Sequence, residues 1–288
     1  MNKYLSILAC AAGLLSFASC SESEVNEVID NTPQLITFKV GAPSAGTRAV
    51  IDGDVNAQNV KVDWETTDKI NVWGLNGSTT PTVFSQPEID AEYQNYAKFE
   101  GYMEIKSSKY FVMYPDQAGA TISFSGEKGN ISATVPSVQK ATVNSFDPAA
   151  AICAGATKSD FDNTVEVLHA CAFLKITTTK PCYSVKVTPA TNKSYSMTGG
   201  VTIEASSSGS KIVGFPNGVP SVTLTADGTA NCASTFAAGT YLMAIIPSTE
   251  YPGLDITVDY GGDDKPNVTN ETQLQLNAAN IYNLGTAQ

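Results

Sequence analysis

Between residues 34 and 284 the apolar residues of this 288-residue chain come in short runs broken by glycine, proline, aspartate and asparagine, nowhere at the spacing of an amphipathic helix. That pattern constrains the fold more than any other feature. Short runs with period-two alternation and frequent turn chemistry make strands, and many such strands make sandwiches. The clearest run is QLITFKV (34–40), in which Ile36, Phe38 and Val40 share one face and Thr37 and Lys39 the other, as in a half-buried strand. A first set of strands is expected at 60–64, 69–74, 109–114, 121–124 and 131–135. A second is expected at 166–176, 183–187, 197–203, 222–224, 241–246, 254–258 and 281–284. YFVMYP (110–115) and YLMAIIP (241–247) look alike, each an apolar strand opened by tyrosine and closed by proline. The turn cluster SDFDNT (159–164) separates the two sets. The expected fold is therefore all-β, with two antiparallel β-sandwich domains in tandem at 49–163 and 164–288.

Hydrophobic residues make up 42% of the chain, enough for real cores, so disorder of the whole is excluded. A formal charge of −11 argues against nucleic acid, which needs a basic patch. The N-terminus has Lys3, an apolar run over 4–17 and small residues before Cys20, which reads as a signal peptide over 1–19. FASC (17–20) resembles a bacterial lipobox, departing from it at Phe17, and places a lipid on Cys20. SESE (21–24) resembles the acidic export signal that sends lipoproteins of some gut and oral anaerobes to the outer face of the outer membrane. The polar stretch up to Pro33 reads as a tether.

Chemistry is sparse. His169 is the one histidine, which removes histidine cages for metals and most acid-base schemes. Cys171 lies two residues from it on one strand face, but no third group orients a thiolate. Cys153, Cys171, Cys182 and Cys232 are spaced by 18, 11 and 50 residues, which fits no zinc pattern and leaves three disulfide pairings open beside buried free thiols. Asp255, Asp259, Asp263 and Asp264 flank a Tyr-Gly-Gly turn without calcium-loop spacing and read as solvated hairpin charges. Trp64, Trp73 and the tyrosines read as core rather than as a sugar platform. No cofactor motif or paired catalytic carboxylates are discernible, so an enzyme is not expected.

One residue stands apart. The chain has 17 basic residues, and Arg48, in the small-residue stretch SAGTRAVIDG (44–53), is its only arginine. Several pieces resemble the fimbrillin family, the two-domain β-sandwich lipoproteins that serve as pilins and pilus-associated adhesins on Gram-negative anaerobes. They are the lipobox, TRA (47–49), Trp64 followed by DKINVW (68–73), FEG (99–101), the runs at 110–115 and 236–247, and LNAANIYNLG (276–285). The resemblance spans nearly the whole chain and implies transthyretin-like domains. It also implies that an arginine-specific surface protease cuts Arg48-Ala49, shedding the lipid together with the first strand, so that 20–48 is a lipidated tether and a removable strand. Loss of Ile36, Phe38 and Val40 would open an apolar groove edged by unpaired backbone, which a strand from the next subunit can fill. The candidate donor is 272–288, with Leu274, Leu276, Ile281 and Leu284 as plugs. Implied partners are other fimbrial subunits, the protease and, before processing, the outer membrane. The rival expectation is a monomeric surface lipoprotein that binds glycans.

Overall fold

The computed structural model describes residues 32–42, 64–89, 96–104, 106–158, 162–191 and 194–287. The expected signal peptide, Cys20, Arg48, Ala49 and residues 60–63 lie outside them. Among the described residues every regular element is a strand. In chain order they are β1 (Gln34–Gly41), β2 (Lys69–Gly74), β3 (Thr82–Ser85), β4 (Glu88–Ile89), β5 (Tyr96–Met103), β6 (Tyr110–Tyr114), β7 (Thr121–Ser125), β8 (Lys128–Val135), β9 (Val138–Lys140), β10 (Cys153–Ala156), β11 (Thr164–Glu166) and β12 (Leu168–His169). There follow β13 (Ala172–Thr178), β14 (Ser184–Pro189), β15 (Thr198–Ser206), β16 (Gly209–Val219), β17 (Val222–Thr225), β18 (Gly239–Ile245), β19 (Ser248–Tyr251), β20 (Leu254–Asp259), β21 (Asn267–Asn270), β22 (Leu274–Leu276) and β23 (Ile281–Ala287). The chain is all-β.

These strands form open, sandwich-like layers. Sheets ordered β11-β1-β5-β4 and β12-β10-β6-β2-β3 enclose a first apolar cluster around Phe38, Phe84, Phe99 and Val112. Sheets ordered β18-β13-β23 and β21-β20-β14-β17-β9 enclose another around Leu174, Val187, Met243 and Ile256. A third cluster, with Phe111, Ile131, Phe173, Ile203 and Leu242, gathers beside the sheet β16-β15-β8-β7. That sheet joins β7 and β8, from before residue 163, to β15 and β16, from after it.

Burial on both faces explains the two look-alike runs. In β6, Tyr110, Val112 and Tyr114 face the first cluster, while Phe111 and Met113 face the third. Likewise Tyr241, Met243 and Ile245 of β18 face the second cluster, with Leu242 and Ala244 turned to the third. Such strands lose their alternation and read as continuous apolar runs.

The same effect corrects one expectation. The single strand expected at 166–176 is three elements, β11, β12 and β13, which belong to three different sheets. Buried nearly throughout, the run carries no change of period to mark where the chain passes from sheet to sheet. β16 was hidden for another reason: its sequence, GSKIVGFPNGV, carries glycines, a proline and an asparagine that read as turn residues, yet it forms an edge strand with register shifts against β15.

Candidate functional site

β1 is an inner strand of its sheet. It pairs antiparallel with β5 along its whole length, from Gln34 opposite Met103 to Gly41 opposite Tyr96. On its other side it runs parallel to β11, with Lys39, Val40 and Gly41 opposite Thr164, Val165 and Glu166. Two further backbone bonds extend that contact, from Lys39 N to Asn163 O at 3.1 Å and from Val167 N to Gly41 O at 3.2 Å. β5 therefore holds one edge of the strand throughout, and β11 holds the other at its C-terminal end, from Lys39 to Gly41.

The inward face carries Ile36, Phe38 and Val40, 7%, 0% and 0% exposed. Phe38 packs edge-on to Tyr110 at 5.0 Å between centroids and tilted against Phe84 at 5.5 Å. Trp64 closes the far end, its indole Nε1 donating to Val40 O at 3.1 Å while its ring meets Phe99 and Tyr114 edge-on. At roughly 1.5–3 kcal/mol for each buried side chain, these three contribute about 5–9 kcal/mol, comparable to the net stability of a whole domain. The first sandwich without β1 is thus a different object.

The outward face carries a polar clasp. Thr37 Oγ1 donates to Glu100 Oε1 at 3.0 Å, and Lys39 Nζ sits 4.5 Å above the Tyr96 ring. The Tyr96 hydroxyl donates to Glu166 Oε1 at 2.6 Å, and that bond, chiefly, raises the tyrosine pKa above its ordinary value. Gly41 lies in the angle between Tyr96 and Glu166, where an added Cβ would collide with the Glu166 carboxylate. Thr37 and Lys39 stand out in the sequence as a polar face, but nothing there reports their contacts with Glu100, Tyr96 and Glu166. β5 itself is not among the expected strands, although YAKFEGYM (96–103) alternates, with Ala97, Phe99 and Met103 buried. Its pairing with β1 is not legible either, because no local signal reports a partner so distant along the chain.

The C-terminal candidates lie elsewhere, Leu274, Leu276 and Leu284 in or against the second cluster and Ile281 against the third. Leu276 is 1% exposed and Leu274 half-buried on β22, which pairs with β19 alone. Ile281 and Leu284 are half-buried on β23, which runs parallel to β13 and forms the edge of its sheet. Leu284 also lines a cavity of about 250 Å³ with Ile176, Ile256, Val258, Val268 and Ala287. β1 is held along one edge throughout and at the C-terminal end of the other, whereas β23 is held along one edge.

Of the remaining chemistry-bearing residues, His169, three of the cysteines and both tryptophans are packed, and the hairpin aspartates lie at or near the surface. His169 meets a thiol, but that of Cys153: Sγ and Nδ1 are 3.2 Å apart across paired strands. Both residues are buried, and burial, with the nearby Cys171 second, pushes the Cys153 thiol well up, so it stays protonated at neutral pH. Burial likewise lifts Cys171 and Cys182 to about 12. Cys153, Cys171, Cys182 and Cys232 are all free thiols. Trp64 and Trp73 are buried, 5% and 1% exposed. Asp259 pairs with Lys265 at 2.9 Å, Asp264 with Lys180 at 2.6 Å, and Asp255 accepts from Thr269. Among the described residues no group of three or more His, Cys, Asp or Glu is placed to hold a metal.

No family model matches the chain, and no curated protein matches it. Among solved structures it is similar to a candidate cell adhesion protein from Bacteroides uniformis ATCC 8492 (14% identity, 88% of this chain and 93% of that one, TM-score 0.48). A candidate cell adhesion protein from Bacteroides ovatus ATCC 8483 follows (11%, 88% and 92%, TM-score 0.49). A fimbrial assembly protein from Parabacteroides distasonis ATCC 8503 is a third (11%, 88% and 91%, TM-score 0.37).

Proposed function

We propose that this chain is a fimbrial structural subunit or tip adhesin of the cell surface that is exported as a lipoprotein and polymerises by donor-strand exchange after cleavage at Arg48-Ala49. It is a building block and not a catalyst. One observation carries the reading: β1, which lies wholly before Arg48, is an inner strand that supplies three side chains to the first core. Proteolysis at Arg48 cuts the covalent link between that strand and the rest of the molecule. Cleavage alone does not expel a strand held by about 5–9 kcal/mol of burial, but it turns a permanent element into an exchangeable one. An incoming strand with apolar residues at alternate positions then competes for the same seat.

The vacated seat would expose the apolar faces of Phe84, Phe99, Tyr110 and Val165 together with unpaired backbone of β5 and β11. A strand donated by a neighbouring copy satisfies both. Donor and seat lie on different surfaces, so the contact is head to tail and propagates. β22 and β23, with Leu274, Leu276, Ile281 and Leu284, are the proposed donor. The lipid on Cys20 serves as an anchor to the outer membrane until the cut releases it, and an arginine-specific surface protease is the processing partner.

N-terminal sequencing of assembled surface material tests the reading. Ala49 as the first residue is the expected result, and a chain still beginning at lipidated Cys20 in filaments overturns it.

A further inference from the structure

At one end of the first pair of sheets, the turn from β2 to β3 and the loop from β5 to β6 frame a cleft of about 460 Å³. That volume suits a small ligand. Tyr102 lines it and is 64% exposed, an unusual place to leave a tyrosine ring in a chain whose tryptophans are both buried. Around the ring stand exposed polar groups, Asn76 and Thr80 from the turn and Glu104 and Lys106 from the loop, with Pro81 beside them. The turn fixes Asn76 in the left-handed region, φ 57°, and is closed by a bond from Gly77 N to Gly74 O at 3.0 Å. Neither Glu104 nor Lys106 has an ion-pair partner among the described residues. The Ser78 and Ser107 hydroxyls of the lining are engaged in the turn and the loop, which leaves the Tyr102 face, the Asn76 amide, the Thr80 hydroxyl, the Glu104 carboxylate and the Lys106 ammonium to meet a ligand.

The geometry points to a saccharide-binding site in this cleft, taking a neutral mono- or disaccharide unit whose apolar ring face stacks on Tyr102 while its hydroxyls bond Asn76, Thr80 and Glu104. A pyranose presents that combination, a C–H face edged by hydroxyls, and aromatic rings pair well with such a face. The chain's net charge of −11 and the Glu104 carboxylate disfavour sialylated or sulfated sugars. Every residue that lines the cleft follows Arg48, but Tyr102 and Met103 lie opposite Leu35 and Gln34 of β1, so the cleft keeps its frame while a strand, β1 or a donated one, fills that seat. It extends the proposed function by giving the molecule a ligand of its own, and it does not depend on polymerisation.

The test is binding of the intact protein to a printed array of neutral, sialylated and sulfated oligosaccharides, followed by titration of the best neutral ligand. The expected result is binding confined to neutral glycans, weakened roughly 2- to 13-fold by Tyr102→Ala, the span that an aromatic contact contributes, and preserved by Tyr102→Phe. Because Tyr102 is exposed, both variants should melt with the parent protein, which separates lost contact from lost fold. No binding to any glycan, binding to charged glycans alone, or equal binding by Tyr102→Ala each overturns the site. Filament formation is scored separately, so failure of the cleft and failure of assembly are distinguishable.

Discussion

Phe38 shows how much one side chain on β1 does. It is fully buried between Phe84 and Tyr110, so Phe38→Ala leaves a cavity that rigid neighbouring strands cannot collapse into. The expected cost is roughly 3–5 kcal/mol, to be read from chemical denaturation of the unprocessed protein. A second residue-level expectation concerns pH. Tyr251 is buried in the second cluster, and its hydroxyl faces the carbonyls of Ser196 and Ile246 at 2.9 and 2.8 Å. Burial raises its pKa above the ordinary tyrosine value. The stability it contributes is therefore fully present below about pH 10, the unfolded value, and is lost as pH rises through the folded one. Thermal melting should fall above that pH, and Tyr251→Phe should lower stability by about 0.5–1.5 kcal/mol at neutral pH, a lost hydrogen bond, while lessening the alkaline fall. An unchanged alkaline profile in the variant would show that other groups control it.

Elements were read from the sequence with uneven success, and the reason is which faces they bury. β1 was legible in QLITFKV because one face is core and the other polar, and the structure buries Ile36, Phe38 and Val40 while leaving Lys39 exposed. β20 is legible on the same ground, whereas β2, buried on both faces, is legible as a short apolar run bounded by turn residues. The run from Glu166 to Ile176, buried throughout much of its length, kept its element type and lost its divisions. As for the site, its inward face was visible and its partners were not, since the pairing of β1 with β11 joins segments more than a hundred residues apart. The clasp of Thr37, Lys39, Tyr96 and Glu166 is a product of that pairing. If β1 is an exchangeable part, a free peptide QLITFKVG should bind the 49–288 product after its own strand has been displaced by denaturation and refolding. The same peptide with alanine at the Phe38 position should bind at least about 100-fold more weakly, the equivalent of the cavity cost. Equal affinity of the two peptides, measured by fluorescence anisotropy, would mean that the seat does not recognise the strand through its core face.

At the scale of the whole molecule, the sheet built around β1 depends on a segment lying before the chain's single arginine. Arg48 has no charge-pairing logic in its sequence neighbourhood, and its uniqueness gives an arginine-specific protease one place to cut. Central to the account is that this cut licenses assembly. Negative-stain electron microscopy of the purified protein, treated with an arginine-specific protease beside an Arg48→Ala variant treated the same way, tests it most directly. The account predicts head-to-tail filaments from the parent protein and monomers from the variant. Filaments in equal number from both, or monomers from a parent protein shown to be cut at Arg48 and to have released its first strand, would contradict it.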